Sequence, residues 1–149
     1  MSQFLAEKTN AVSIDARGAR FSAVLTTIVL AVGLVTTNLW ILIAQGIVFA
    51  VGALKGPQFT PYAYIFRWVI KPRLKGAAVL EDVRPPQFAQ SVGLIFALAA
   101  IVGAITGIAP LFTVAVSFAL AAAFLNAAFS FCLGCELYLL LLRVRSAHG

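Results

Sequence analysis

Four long stretches of the chain contain no Asp, Glu, Lys or Arg, and they limit the possible folds more than any other feature. About 20 consecutive apolar residues can cross a bilayer as a helix, and these stretches lack the apolar–polar alternation of a membrane β-barrel. Charged residues make up 11% of the chain, against roughly a quarter in a soluble domain. We therefore expect an all-α polytopic membrane protein with a single domain over residues 1–149, in contact with the lipid bilayer. The predicted transmembrane helices cover residues 21–37, 39–54, 88–109 and 111–133.

The basic residues lie on one side of these predicted helices. All 11 Lys and Arg residues precede the first helix, separate the second from the third, or follow the fourth. Because basic loops stay in the cytoplasm, both termini and the 55–87 segment are predicted to be cytoplasmic, with the helices arranged as two hairpins. Residues 1–20 do not resemble a signal peptide, so we expect the first helix to be retained. Positive charge that flanks membrane helices does not form the single basic stripe of a nucleic-acid-binding protein.

The segment between the hairpins contains a predicted amphipathic helix over residues 61–71. Thr60 and Pro61 suit a helix start, and the apolar residues that follow recur at helical spacing on one face. Trp68 and Tyr64 are typical of the lipid headgroup layer. We expect this helix to lie on the cytoplasmic surface of the bilayer.

Two short phrases, IDARGARFSA and EDVRPPQFAQ, repeat 67 positions apart, and each leads into a predicted membrane helix. The corresponding pairs are Asp15 with Asp82 and Arg17 with Arg84. An Asp just before a helix can cap it, and an Arg at the interface can bind a lipid phosphate or a carboxylate. The repeat predicts two hairpins related as a parallel repeat. These four residues and Arg20 are the predicted supporting charges at the interface.

Both cysteines lie in the phrase FCLGCELY, three positions apart, near the predicted cytoplasmic end of the fourth helix. This is the spacing of the dithiol motif of thioredoxin-type proteins, and the cytoplasm keeps ordinary thiols reduced. Glu136 follows directly, and a carboxylate among leucines needs a partner, which we expect to be Arg20 or a repeat arginine. Cys132, Cys135 and Glu136 are therefore the candidate catalytic residues. The alternative is that the cysteines only fill space, as small apolar side chains do.

Helix four presents two further questions. The stretch from Pro110 to Arg143 is too long for one ordinary span, so the helix either tilts strongly or breaks near Gly134. Two polar residues, Gln45 and Asn126, lie inside predicted membrane helices. We expect them to face the bundle, where they either bond to a neighbouring helix or line a polar path.

The phrases IDARGARF, PPQFAQSVG and FCLGCELY resemble DUF4395, an uncharacterised family of small bacterial membrane proteins, and the resemblance covers nearly the whole chain. The family often has prolines where this chain has Ala16 and Ala19. The resemblance implies a protein of the bacterial inner membrane. It also implies an association with thioredoxin-like or sulfurtransferase-like proteins. It implies no established activity.

Three functions are compatible with these residues. The first is a membrane thiol-redox or sulfur-relay protein that works with a thioredoxin-like or sulfurtransferase partner. The second is a small permease for a sulfur-containing solute, which with four helices would act as a homodimer. The third is a structural membrane subunit without chemistry. We expect no cofactor and no metal site, because two cysteines, Glu136 and the tail residue His148 are a poor zinc-ligand set.

Overall fold

The computed structural model describes residues 13–76 and 80–148. It confirms an all-α protein, with one pair of short strands in addition. The predicted polar N-terminal region falls largely on residues 1–12, which lie outside the described residues. The strands are β1 (Ser13–Asp15) and β2 (Leu80–Asp82), and the helices are α1 (Ala16–Thr36), α2 (Leu39–Leu54), α3 (Pro61–Ile65), α4 (Arg84–Thr106), α5 (Ala109–Phe129) and α6 (Leu133–His148).

Three helices, α1, α4 and α5, are long and apolar enough to cross a membrane, and they indicate a membrane protein. The α2 helix is equally apolar but has 16 residues. Large apolar side chains cover the outside of the bundle. Val35 is 83% exposed and Ile105 is 69% exposed. An exposed apolar surface of this extent is suited to contact with lipid.

Two of the helices extend beyond the predicted spans at their N-terminal ends. The α1 helix starts at Ala16 and α4 starts at Arg84. The side chain of Asp15 accepts a hydrogen bond from the backbone N–H of Arg17, at 3.0 Å, and Asp82 accepts one from that of Arg84, at 2.9 Å. Each aspartate satisfies a backbone donor that has no partner within the helix. Capping therefore places the helix starts several residues before the charge-free stretches begin.

The two strands come from the two copies of the repeated phrase, and they pair with each other. They are antiparallel, with Ser13 opposite Asp82, Ile14 opposite Glu81 and Asp15 opposite Leu80. The position equivalent to Ser13 in the second repeat is Leu80, and the position equivalent to Asp82 in the first repeat is Asp15. The first pair, Ser13 with Asp82, is therefore equivalent to the last, Leu80 with Asp15. The pairing thus has the local twofold symmetry that an internal repeat requires, and it ties the start of α1 to the start of α4.

The helices follow the same symmetry. We call residues 13–73 the N-terminal half and residues 80–148 the C-terminal half. The most extensive contacts include those between α1 and α5 and between α2 and α4, so the first helix of each half packs on the second helix of the other. The buried core between them includes Leu30, Leu42, Phe49, Ala97, Ala100, Phe112, Ala115, Val116 and Ala119.

Each half ends in a further helical segment that returns to its own first helix. In the N-terminal half, α3 continues through a π-helical turn (Phe66–Ile70) and a 3-10 turn (Lys71–Arg73), so the helical path predicted over residues 61–71 is present. It packs on α1, where the rings of Phe21 and Phe66 lie 5.9 Å apart. In the C-terminal half, α6 packs on α4, where the rings of Phe88 and Tyr138 lie 5.5 Å apart. Phe21 and Phe88 are counterparts in the repeat.

Gln45 is completely buried in α2 and links three helices. Its Oε1 accepts a hydrogen bond of 2.7 Å from the hydroxyl of Tyr62 on α3, and its Nε2 donates to Thr26 on α1, at 3.5 Å. Burial raises the pKa of the Tyr62 phenol above its ordinary value, so this group remains a donor at neutral pH. The expected bond between Gln45 and a neighbouring helix is therefore present.

Replacing Tyr62 by Phe is expected to destabilise the protein. The change leaves Gln45 Oε1 buried without its donor, which costs roughly 1–3 kcal/mol. Tyr64→Phe is the matched control, because no hydrogen bond of the Tyr64 hydroxyl occurs among the described residues. Thermal unfolding in detergent measures both variants. Equal unfolding temperatures for the two would show that the Tyr62–Gln45 bond contributes nothing.

Candidate functional site

A cavity of about 900 Å³ lies between the two halves, at the end of the bundle where the strands pair. Both strands contribute to its wall, together with parts of α1 to α6. Charged side chains line the end near the strands, whereas aromatic and small apolar side chains line the part between the helices. The charged residues on its wall are Asp15, Arg17, Arg20, Arg67, Lys71, Glu81, Asp82 and Glu136.

The four repeat charges form two equivalent ion pairs beside the strands. Arg17 binds Asp15 through two side-chain nitrogens, the shorter contact being 2.9 Å, and Arg84 binds Asp82 in the same manner at 2.7 Å. Lys71 lies 3.9 Å from Asp15 and adds a weaker attraction. The hydrogen bond from Arg17 holds the pKa of the Asp15 carboxyl below its ordinary value, although partial burial acts against it. These residues fix the helix starts, and three of the four line the cavity.

Arg20 connects the two halves at the end of α5. Its Nε donates to the carbonyl of Ala127 at 3.0 Å and its Nη2 to that of Ala128 at 3.4 Å. The last carbonyls of a helix have no partner within the helix, so Arg20 serves as a cap supplied by the opposite half. Its counterpart Gln87 does the same for α2, donating to the carbonyl of Ala53 at 2.8 Å. The repeat thus preserves the function of this position while its charge differs.

The fourth predicted helix is broken at residues 130–132, close to Gly134, and does not continue as one tilted helix. Ser130 adopts a left-handed backbone conformation with φ of 55°. Its N–H donates to the carbonyl of Asn126, four residues back, which is the single bond of an αL helix end, and the N–H of Phe131 donates to the carbonyl of Leu125. The new helix α6 starts at Leu133. The predicted span over residues 111–133 is therefore corrected to α5, which ends at Phe129.

Cys132 immediately precedes α6 and Cys135 lies in its first turn. The two sulfurs are at disulfide distance, with the Cα atoms 5.1 Å apart. The carbonyl of Cys132 accepts the first helical hydrogen bond, from Glu136, and its Sγ accepts the backbone N–H of Cys135 at 3.1 Å. Cys132 therefore occupies the position of a helix N-cap, where a free N–H and the helix dipole favour negative charge. Both cysteines line the cavity.

Glu136 does not form the expected ion pair with an arginine. Among the described residues, no contact within ion-pair distance joins Glu136 to Arg17, Arg20 or Arg84. The repeat arginines are bound to the repeat aspartates, and Arg20 is bound to carbonyl groups. Glu136 is exposed and borders the cavity. It obtains a polar environment from the cavity and not from a specific cation.

The two intramembrane polar residues separate in the structure. Asn126 lines the cavity, close to the helix end that Arg20 caps. Gln45 does not reach the cavity wall, because its amide is bound to Tyr62 and Thr26. Gln45 is thus behind the cavity wall, hydrogen-bonded to Thr26, which lines the cavity together with Asn126.

Sequence reasoning missed several residues of this cavity. Glu81, half-buried on β2, is paired with Ile14, the neighbour of Asp15, and burial, with a smaller effect of Asp15, raises the pKa of its carboxyl. Arg67 donates to the carbonyl of Gln58 at 2.7 Å and stacks on Tyr64. Gln90 lines the apolar part, and its Oε1 is buried without a hydrogen-bond partner. Glu81 and Gln90 both lie in the second repeat phrase, so a closer comparison of the phrases could have identified them.

Gly134, between the two cysteines, is expected to control how closely α6 approaches α4. A Cβ at this position would lie 2.5 Å from the Cβ of Ala89 and 2.6 Å from its Cα. Gly134→Ala should therefore displace the start of α6, cost roughly 1–3 kcal/mol through steric overlap, and speed alkylation of the reduced cysteines. Leu133→Ala is the control, since Leu133 is exposed in the same motif. Thermal unfolding and the rate of cysteine alkylation measure both variants. Equal unfolding temperatures and equal alkylation rates for Gly134→Ala and Leu133→Ala would contradict this role.

Glu81→Gln is expected to stabilise the protein at neutral pH. The raised pKa of Glu81 means that its contribution to stability is complete below its unfolded pKa, near 4.5, and is lost as pH rises through the folded pKa. The amide removes that loss, so the variant should unfold at a higher temperature at about pH 7, and the difference should vanish on acidification. The lowered pKa of Asp15 gives a contribution to stability with the opposite pH dependence. This contribution is the same in the wild-type protein and in Glu81→Gln, so it does not affect the difference between them. Glu136→Gln, at an exposed position, is the control, and a pH-independent difference would contradict the assignment.

Comparison with known proteins identifies a family. A family model described as Domain of unknown function (DUF4395) matches residues 14–143. No curated protein and no solved structure matches the chain. The matched region contains both repeat phrases, the cavity-lining part of every helix and both cysteines. The chain belongs to the DUF4395 family.

Proposed function

We propose that the chain is a membrane thiol–disulfide exchange protein in which Cys132 and Cys135 cycle between dithiol and disulfide. One observation carries the proposal: the two sulfurs lie at disulfide distance where a helix begins, on the wall of a cavity. A helix N-terminus stabilises a thiolate, which is the reactive form of cysteine. Two cysteines that serve only to fill space have no need of this placement.

The proposed membrane arrangement has four spans, formed by α1, α2, α4 and α5, in the inner membrane of a bacterium. The α2 helix is roughly 24 Å long, shorter than the hydrocarbon layer, but its apolar sequence and its position beside α4 support a span that continues into the interface. Four basic residues, Arg17, Arg20, Arg67 and Lys71, line the cavity at the end of the bundle where the strands pair. The positive-inside rule then places this end, and both termini, in the cytoplasm.

The structure supports a specific role for each cysteine. In the disulfide form that the structure describes, the Cys132 sulfur lies at the helix cap and accepts the N–H of Cys135, so Cys132 is the proposed nucleophile and leaving group. A thiolate of a partner protein attacks the Cys132 sulfur, breaks the Cys132–Cys135 bond and forms a mixed disulfide, with the electron pair passing to Cys135. A second partner thiol then attacks the partner's own sulfur and releases Cys132. Two electrons thus pass from the partner to the membrane pair.

The partner that suits this chemistry is a cytoplasmic thioredoxin-like protein with a dithiol. A sulfurtransferase would instead leave a persulfide on one cysteine, and this reaction does not need the second sulfur at bonding distance. The observed separation therefore favours disulfide exchange over sulfur relay. Glu136, exposed in the first turn of α6, is proposed to accept the proton of the entering partner thiol and to return it to the sulfur that leaves.

Trapping in cells tests this proposal. In cells whose thioredoxin-like partner lacks its second thiol, Cys135→Ser has no thiol on either side that can break a mixed disulfide through Cys132. This mixed disulfide, formed by exchange with glutathione disulfide, should accumulate and be removed by a reductant, whereas Cys132→Ser should accumulate at least tenfold less. Non-reducing electrophoresis and a thiol-reactive mass tag measure both. The wild-type protein should contain an oxidised fraction that reverses on reduction.

The double variant Cys132→Ser/Cys135→Ser is the control for non-specific labelling. If both thiols of the wild-type protein stay reduced under every growth condition and Cys135→Ser traps nothing, the proposal is wrong. A permease or a structural subunit would then explain the fold.

A further inference from the structure

The cavity differs from a protein-docking surface in its inner part. Between the helices its wall is formed by aromatic rings and small residues, including Phe49, Phe96, Phe118 and Ala122. A soluble partner could reach the cysteines from the charged end, but its backbone could not enter this apolar part without losing hydrogen bonds. A volume of about 900 Å³ is within the range of small-molecule sites. The inner part is therefore suited to an apolar small molecule.

Part of the cavity wall also reaches the outside of the bundle. Three residues of its wall are exposed on the outside of the bundle: Phe118 at 60%, Leu137 at 43% and Leu139 at 38%. Phe118 lies on α5 and the two leucines on α6, and α6 rests mainly on α4, with far less contact to α5. The loose contact between α5 and α6 is therefore the proposed route between the cavity and the surface that faces the acyl chains.

Polar groups occur where the apolar part meets the cysteines. Arg20 and Asn126 line the cavity together, since the Arg20 guanidinium is bound to the carbonyl of the next residue, Ala127. Gln90 adds a side-chain amide whose Oε1 is buried without a partner. The N–H groups of Arg20, Asn126 and Gln90 can donate hydrogen bonds to the carbonyl oxygens of a ring, whereas the buried Oε1 of Gln90 can accept one from a ring hydroxyl.

We propose that the cavity binds a lipid-soluble quinone, which reoxidises the cysteine pair. This inference rests on the proposed thiol–disulfide function. In the step, the two S–H bonds of Cys132 and Cys135 break and one S–S bond forms. The two electrons and two protons reduce the two carbonyl groups of the quinone to hydroxyl groups, and the hydroquinone leaves between α5 and α6. The pair thus passes electrons from a soluble dithiol to the lipid phase.

Purified full-length protein in detergent tests the inference. The protein is reduced, freed of reductant and mixed with decylubiquinone, whose fully substituted ring cannot form thiol adducts. Wild-type protein should lose both thiols, counted by mass tag, and should form one hydroquinone per chain, measured by absorbance. Cys132→Ser/Cys135→Ser should form none.

A pair of neighbouring substitutions on α5 locates the quinone. Ala122 lines the cavity, whereas Ala121 is exposed on the helix and lies outside it. Ala122→Trp should slow oxidation by decylubiquinone at least tenfold, and Ala121→Trp should retain the wild-type rate. Reduction of each oxidised variant by thioredoxin confirms folding, because this reaction uses the charged end of the cavity and should be unchanged in both.

The outcomes separate this inference from the proposed function. If the wild-type thiols survive decylubiquinone while Cys135→Ser still traps a mixed disulfide in cells, the quinone is wrong and thiol exchange stands. If oxidation occurs at equal rates in the two tryptophan variants, the quinone does not bind in the cavity and the inference is wrong. If neither trapping nor quinone oxidation occurs, both proposals fail.

Discussion

The unpaired carbonyl groups at the ends of α2 and α5 impose the constraint on which the structure depends. Such groups are costly in an apolar environment, and each set receives a donor from the other half: Arg20 reaches the end of α5 and Gln87 the end of α2. These bonds require the halves to cross, with the first helix of one against the second helix of the other. The strand pair completes the arrangement, because it joins the two helix starts from which these donors project.

The two halves match in their framework and differ at the cavity. Each has a capping aspartate, a paired arginine, an aromatic contact and a final helical segment. After α2, the chain turns at Gly56 and Pro57, whereas after α5 it turns at Ser130 and reaches Cys132. Both cysteines are thus in the C-terminal half. A repeated framework supplies rigidity, and the departures from the repeat mark the positions that are free to acquire a function.

Local signals in the sequence predicted much of this fold, and long-range contacts account for what they missed. The apolar stretches predicted the long helices, and the two aspartates indicated where α1 and α4 begin, because these effects act within a few residues. The strands have three residues each, too few to show an alternating pattern. The sequence left open whether helix four tilts or breaks near Gly134. The helix ends at Ser130, which has the left-handed conformation, and Gly134 allows close contact with Ala89. The cavity needs all helices and could not be found in one segment.

The covalent link between the halves has a consequence for stoichiometry. A homodimer of half-length chains would present two equivalent sulfur pairs to the shared central space, one from each subunit. In this chain the backbone keeps the twofold relation between the two halves, but both sulfur atoms belong to the C-terminal half. Each molecule therefore has one cysteine pair facing one cavity, and in the proposed thiol–disulfide function one turnover exchanges two electrons at that pair.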